Sequence, residues 1–171
     1  MMIIGIDPGL RHTGWGIIES HGNRLAHVAH GVISPQTDEE MAERLVVIFD
    51  GLSAVMEEFT PDSAAVESTF VNKNAASTLK LGQARAIALL VPARSGIKVS
   101  EYAPNLVKKA LTGSGHAGKE QIAVMVGHLL PGANPQKADA ADALAIAICH
   151  AHHVGSAANR VRLKQVVGGG Q

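Results

Sequence analysis

The sequence predicts an α/β fold: a mixed five-stranded sheet flanked by helices. Three observations point to it. Three short β-rich runs, residues 2–7, 14–20 and 24–33, follow one another with only turn residues between them. From residue 37 onward the apolar spacing becomes helical, and short strands alternate with helices. A chain of 171 residues, 46% hydrophobic, suffices for one buried core and is short for two.

Residues 2–7 are Ile-rich, as suits a buried strand. Asp7-Pro8-Gly9 then has turn chemistry, because proline presets φ and glycine accepts positive φ. Gly22-Asn23 reads as a hairpin turn between the second and third strands. The third strand alternates, with Leu25, His27 and Ala29 on one side and Ala26, Val28 and His30 on the other. Thr37 or Asp38 caps a helix to about Phe59, whose first turns carry Glu39, Glu40 and Glu43 where the macrodipole favours acids. Residues 63–67 form a strand, and 74–91 a helix stopped by Pro92. Residues 97–101 make the fifth strand, and 104–111, 119–130 and 135–153 are helices. One domain over 1–154 with a flexible tail at 155–171 is the expected organisation.

Charge and cysteine usage narrow the function classes. Residues 1–67 hold eleven acidic and three basic residues, while 68–171 hold twelve basic and four acidic, giving net charges of −8 and +8. A one-sided basic field suits a polyanion such as nucleic acid. The single cysteine, Cys149, excludes an internal disulfide. No signal-peptide pattern opens the chain, and its apolar run 84–93 is broken by Arg85 and Pro92. A cytoplasmic protein with no membrane partner is expected.

Four carboxylates carry the chemistry. Asp7 ends the first strand and Glu67 the fourth, so parallel neighbours would bring both to one sheet edge, where open α/β sheets bind ligands. A turn Asp bonding a later backbone N–H accounts for Asp7 equally well. Asp139 and Asp142 are three apart and share a helix face ahead of the apolar run 143–148. With Asn134 as cap and Pro135 as first helical residue, both lie beyond the first turn, where dipole stabilisation has faded. Two like charges on a core-facing helix are costly without a cation. Hard oxygen ligands favour Mg²⁺, with Mn²⁺ as a substitute, and two ions per site suit phosphodiester hydrolysis. Cys149 and His153 have zinc-compatible spacing on one helix, but with no second ligand cluster a helix-end histidine is the better account.

These motifs resemble those of the RuvC Holliday-junction resolvases. The resemblance rests on Ile4-Gly5-Ile6-Asp7-Pro8-Gly9, Thr13-Gly14-Trp15-Gly16, Ala65-Val66-Glu67-Ser68-Thr69-Phe70, Lys73-Asn74, the run 79–85 and the run 138–145, in family order over residues 2–153. It implies an RNase H-like fold, two-metal catalysis, a homodimer, and paired symmetric nicks in four-way DNA during recombination and repair. RuvA and RuvB, the branch-migration proteins, are the implied partners. The resemblance assigns Asp7, Glu67, Asp139 and Asp142 to the metal site, Lys108 and Lys119 to its neighbourhood, and Phe70, Lys73, Asn74 and Arg85 to DNA binding. Physically, a lysine beside the scissile phosphate stabilises developing charge, and an aromatic can stack on an unpaired base. Read alone, Lys108 and Lys119 are better taken as solvated helix lysines and Phe70 as a core residue; the resemblance reverses that preference. The loop 113–118 is Gly-rich and expected to be flexible, and Arg160, Arg162 and Lys164 add basic charge to the tail. Two alternatives remain open to the sequence. One is a catalytically silent junction-binding module. The other is an actin-like or sugar-kinase ATP-binding protein, which needs a second domain that 171 residues cannot hold.

Overall fold

The computed structural model describes residues 1–68 and 75–168, with side chains described up to residue 155. Its elements are β1 (Met2–Asp7), β2 (Thr13–His21), β3 (Arg24–Ile33), α1 (Met41–Phe59), β4 (Ser63–Glu67), α2 (Ala75–Arg94), β5 (Lys98–Tyr102), α3 (Pro104–Thr112), α4 (Lys119–Leu129) and α5 (Ala138–Gly168). The strands form one five-stranded sheet in the order β3-β2-β1-β4-β5. The β1–β2 and β2–β3 pairs are antiparallel, and β1–β4 and β4–β5 are parallel. The mixed sheet follows from the chain order: tight turns join the first three strands, and helical crossovers join the rest.

The period of two along β1 sorts its side chains onto two cores. Ile3 joins Ile18, Ala65 and Leu144 on the face covered by α3, α4 and α5. Ile4 and Ile6 join Ile17, Ile48, Leu52, Val66 and Ala88 on the face covered by α1 and α2. Gly5 faces α5, and a methyl group there would overlap the Ala143 carbonyl oxygen. The bare glycine and the Ala-rich stretch of α5 together let helix backbone lie directly on the sheet.

Several boundaries differ from the sequence reading, each for a local reason. The first helix begins at Met41, not beside Thr37 or Asp38: Glu40 is its cap, and the Glu40 N–H donates to the Glu43 carboxylate at 3.2 Å. Pro92 does not stop α2 but lies inside it. Its missing donor falls in the closing turn, where the Ser95 N–H bonds the Pro92 carbonyl at 3.1 Å and the Gly96 N–H that of Ala93 at 3.0 Å. In β3 a bulge leaves Val28 unpaired, since Ile17 pairs with Ala29 and Ile18 with His27. The expected alternation is thereby broken, and His30 moves to the side of His27, where their rings bond at 2.7 Å.

The most consequential shift is at α5, which starts at Ala138 rather than Pro135. The Asn134 carbonyl accepts the Gln136 side-chain amide at 3.3 Å, and the first helical bond runs from the Ala141 N–H to the Lys137 carbonyl. Residues 134–137 therefore stand ahead of the helix, with a bend at Gln136 and Lys137. At its other end the helix runs to Gly168, past the sequence-based limit of 153. Among the described residues no helix is long and apolar enough to cross a membrane.

Candidate active site

Ile6 pairs with Val66 in parallel register, so β1 and β4 end together, at Asp7 and Glu67. Tyr102 stands opposite Glu67 at the end of β5, and its carbonyl accepts the Ser68 N–H at 2.8 Å, fixing the chain where it leaves Glu67. On the other side Asp7 pairs with Gly14 of β2. A methyl group on Gly14 would overlap the Asp139 carbonyl oxygen. The missing side chain at Gly14 thus seats the first turn of α5 against the register partner of Asp7. Asp142 follows one turn on.

A cavity of about 340 Å³ opens there, lined by Asp7, Glu67, Asp142, Lys108 and Lys119, with Val107 and Ile122 as apolar wall. Lys108 comes from α3 and Lys119 opens α4 after Gly118. The Gly-rich connection between these helices is held by its own bonds: the Ser114 N–H reaches Thr112 Oγ1 at 3.2 Å, and the Gly118 N–H reaches Gln121 Oε1 at 3.0 Å.

The electrostatics are those of crowded carboxylates. Asp7 is pushed up from 3.8 to about 8, first by burial and then by Glu67, Asp142 and Asp139, with Lys119 opposing. Glu67 is raised by burial and by Asp142, against Lys108 and Lys119. Asp142 is raised by burial, opposed by Lys119 and Lys108 and reinforced by Asp139. Asp139 does not line the cavity, although its charge reaches Asp7 and Asp142. Among the described residues no three such ligands are closed around a point that could hold an ion. The mutual repulsion of these carboxylates is one that a divalent cation would relieve. A donor set of carboxylate oxygens alone fits a hard cation such as Mg²⁺ or Mn²⁺.

Other assigned residues fall elsewhere. The Arg85 guanidinium pairs with Glu101 and so ties α2 to β5. Phe70, Lys73 and Asn74 lie outside the described residues. Cys149 and His153 turn toward each other rather than toward a ligand. Burial pushes the Cys149 thiol up to about 12, and His153 Nδ1 lies 2.8 Å from the Cys149 carbonyl oxygen, which it meets as a donor. A buried thiol and an occupied ring nitrogen are poor zinc ligands.

A buried relay behind the site was not read from the sequence. The Tyr102 hydroxyl meets His150 Nδ1 at 2.8 Å, and His150 Nε2 meets Ser63 Oγ at 3.1 Å. His150 is only 2% exposed, and burial lowers its pKa, so it is a neutral ring with both nitrogens used. The relay joins α5, which carries Asp139 and Asp142, to β4 and β5 behind Glu67. Its signal in the sequence was a histidine inside an Ala/Ile helix and the single tyrosine at a strand end.

Sheet order and site define an α/β protein with carboxylates and lysines gathered in one cavity where parallel strands end. A family model described as crossover junction endodeoxyribonuclease RuvC matches residues 3–150. A protein of that description from Paramagnetospirillum magneticum is 62% identical over 91% of this chain and 94% of its own length. One from Rhodopseudomonas palustris is 60% identical over 96% and 92%. Thermus thermophilus RuvC, solved in complex with a Holliday junction substrate, superposes with a TM-score of 0.86 at 33% identity, covering 92% of this chain and 96% of that one. The chain belongs to the RuvC family of crossover junction endodeoxyribonucleases. Its function is that of a Holliday-junction-resolving endonuclease, in a family whose chemistry depends on divalent metal.

Proposed function

We propose that the enzyme binds four-way DNA junctions and resolves them by paired symmetric nicks, using Mg²⁺ held by Asp7, Glu67, Asp139 and Asp142. The observation that carries this reading is the convergence of carboxylates from β1, β4 and α5 on one cavity with two lysines, where burial first and the neighbouring carboxylates second push Asp7 up to about 8. Two bound ions, with Mn²⁺ as substitute, would supply Lewis-acid stabilisation of the attacking and leaving oxygens. The chain's own part is to hold four oxygens at fixed places. Lys108 and Lys119 face the carboxylates across the cavity and draw a phosphodiester toward them by charge. The apolar wall of Val107 and Ile122 limits water around the reacting group.

A junction offers two equivalent strands, which a C2 homodimer matches. On α2 the exposed residues Leu79, Gly82, Ala86 and Leu90 form a stripe opposite buried Ala84, Ala88 and Val91. Leu79 is 68% exposed and Leu90 47%, so this face is our dimer surface. Phe70, Lys73 and Asn74 complete the DNA surface in this reading, RuvA and RuvB are the branch-migration partners, and the enzyme works in the cytoplasm. Residues 1–154 are the nuclease domain, and 155–171, with Arg160, Arg162 and Lys164, add non-specific affinity for DNA.

A synthetic four-way junction with Mg²⁺ or Mn²⁺ tests the mechanism. Asp7→Asn is expected to lower cleavage about 10³-fold while junction binding persists. Cleavage by the variant at the unsubstituted rate would overturn the carboxylate mechanism, and junction binding without cleavage by the unsubstituted protein would revive the silent binding module. Equal cutting of linear duplex would overturn junction selectivity.

A further inference from the structure

We propose that the cavity bounded by Arg11, Arg44 and Lys80 is a second phosphodiester site, which holds the DNA backbone as it leaves the catalytic carboxylates. This cavity measures about 490 Å³ and is also lined by Thr37 and Ser77, with no carboxylate among its lining residues. Among the described residues the ion pairs are His21–Glu19 and Arg85–Glu101, so none of the three cations is neutralised by a contacting acid there. Glu43, one of the acids at the head of α1, instead accepts the Glu40 N–H. Three like charges around one hollow repel each other, and a bound phosphate reverses that cost.

Arg44 is the fixed member. Its Nη2 donates to the Leu10 carbonyl at 2.9 Å, which ties α1 to the loop carrying Arg11. Its Nε is buried and has no partner among the described residues. Arg44 as a whole is partly exposed and lines the cavity, so its other guanidinium N–H groups can meet an anion oxygen there.

Position in the fold says which phosphate. The loop bearing Arg11 leaves β1 directly after Asp7, and α2, bearing Lys80, is the element that follows β4 and Glu67. Arg11 is four positions after Asp7, a span of at most ~14 Å, or about four nucleotides at ~3.4 Å each along the helix axis. The carboxylate cavity is walled by α3, α4 and α5, whereas Leu10, Arg11, Arg44 and Lys80 lie on the side of α1 and α2. A strand drawn over the sheet edge where β1 and β4 end therefore touches both.

The site rests on the endonuclease reading, whose failure shows separately as uncut junction with the unsubstituted protein. Junction affinity is measured in EDTA across a salt series for Arg11→Gln/Lys80→Gln, with Arg24→Gln/Lys98→Gln as control. The control residues stand at the opposite sheet edge, where β3 and β5 begin. The expected result is a several-fold loss of affinity and a fall of about 1 in the salt slope, absent in the control. Uncharged methylphosphonate linkages are then placed singly within four nucleotides of the cut. One position is expected to weaken the unsubstituted protein and to cost the double variant nothing further. Equal salt slopes for the two double variants, or a methylphosphonate penalty that persists in Arg11→Gln/Lys80→Gln, would overturn the proposal. Charge reversal to Glu at both positions gives a second variant, and thermal melts confirm that each protein is folded.

Discussion

The two carboxylate pairs of the site are held by different physics. Asp7 and Glu67 sit on neighbouring parallel strands whose register brings both chain ends to the same line. Backbone hydrogen bonds set their spacing, and no distant side chain is needed. Asp139 and Asp142 ride on a helix that touches the sheet through bare backbone, at Gly5, Gly14 and Gly16. Their position depends on what is absent from β1 and β2 as much as on α5 itself. The strand pair is therefore a product of backbone pairing between strands far apart in the chain, and the helix pair a product of docking.

Breaking the docking without touching a carboxylate is the strongest test of that contrast. Gly14→Ala would drive a methyl group into the Asp139 carbonyl, which is backbone and cannot swing aside. We expect about 3 kcal/mol of destabilisation, and about 10²-fold slower cleavage from a shift of ~1 Å in the helix pair. Cleavage and melting measurements check this; an unchanged rate would mean that Asp139 and Asp142 tolerate displacement.

A milder test severs the link between the pairs. Tyr102→Phe keeps the ring but leaves His150 Nδ1 buried without its partner. The expected cost is about 1–2 kcal/mol in urea unfolding, together with a higher Mg²⁺ requirement for cleavage. Loss of stability with an unchanged Mg²⁺ requirement would make the relay purely structural.

The smallest effect separates the pairs by charge. A carboxyl whose folded pKa is raised stabilises the fold fully below its unfolded value of 3.8, and that contribution is lost as pH rises through about 8. His27 and His150 have lowered values, so their contribution is complete above their ordinary 6.5. Between pH 7 and 8.5 the metal-free protein should thus lose at most about 1 kcal/mol, or ~2–4 °C in melting temperature, since the cavity opens to water. Mg²⁺ should abolish the slope, and Asp7→Asn should remove it without metal. A metal-free melting temperature that rises over this range would contradict the crowding of Asp7.

The contrast also explains what could be read in advance. The strand ends at Asp7 and Glu67 were legible because a strand's identity and length are local properties of β-branched runs and their turns. The helix pair was argued on a premise that the structure changes. Taking Pro135 as the helix start put both aspartates beyond the dipole, whereas the start at Ala138 puts Asp139 in the first turn, where an acid is favoured without any metal. Capping residues are ambiguous when a nearby side chain competes for their carbonyls, as that of Gln136 does at Asn134.

By itself, then, the sequence determined the order of elements and the mixed sheet, because periodicity and turn chemistry act over a few residues, and it singled out four carboxylates of which Asp7, Glu67 and Asp142 line one cavity. Only the tertiary structure decided that Lys108 and Lys119 face those carboxylates, that Arg85 serves Glu101, and that Tyr102 and Ser63 grip His150. Those contacts join residues tens of positions apart, and no local pattern encodes which helix lies on which glycine.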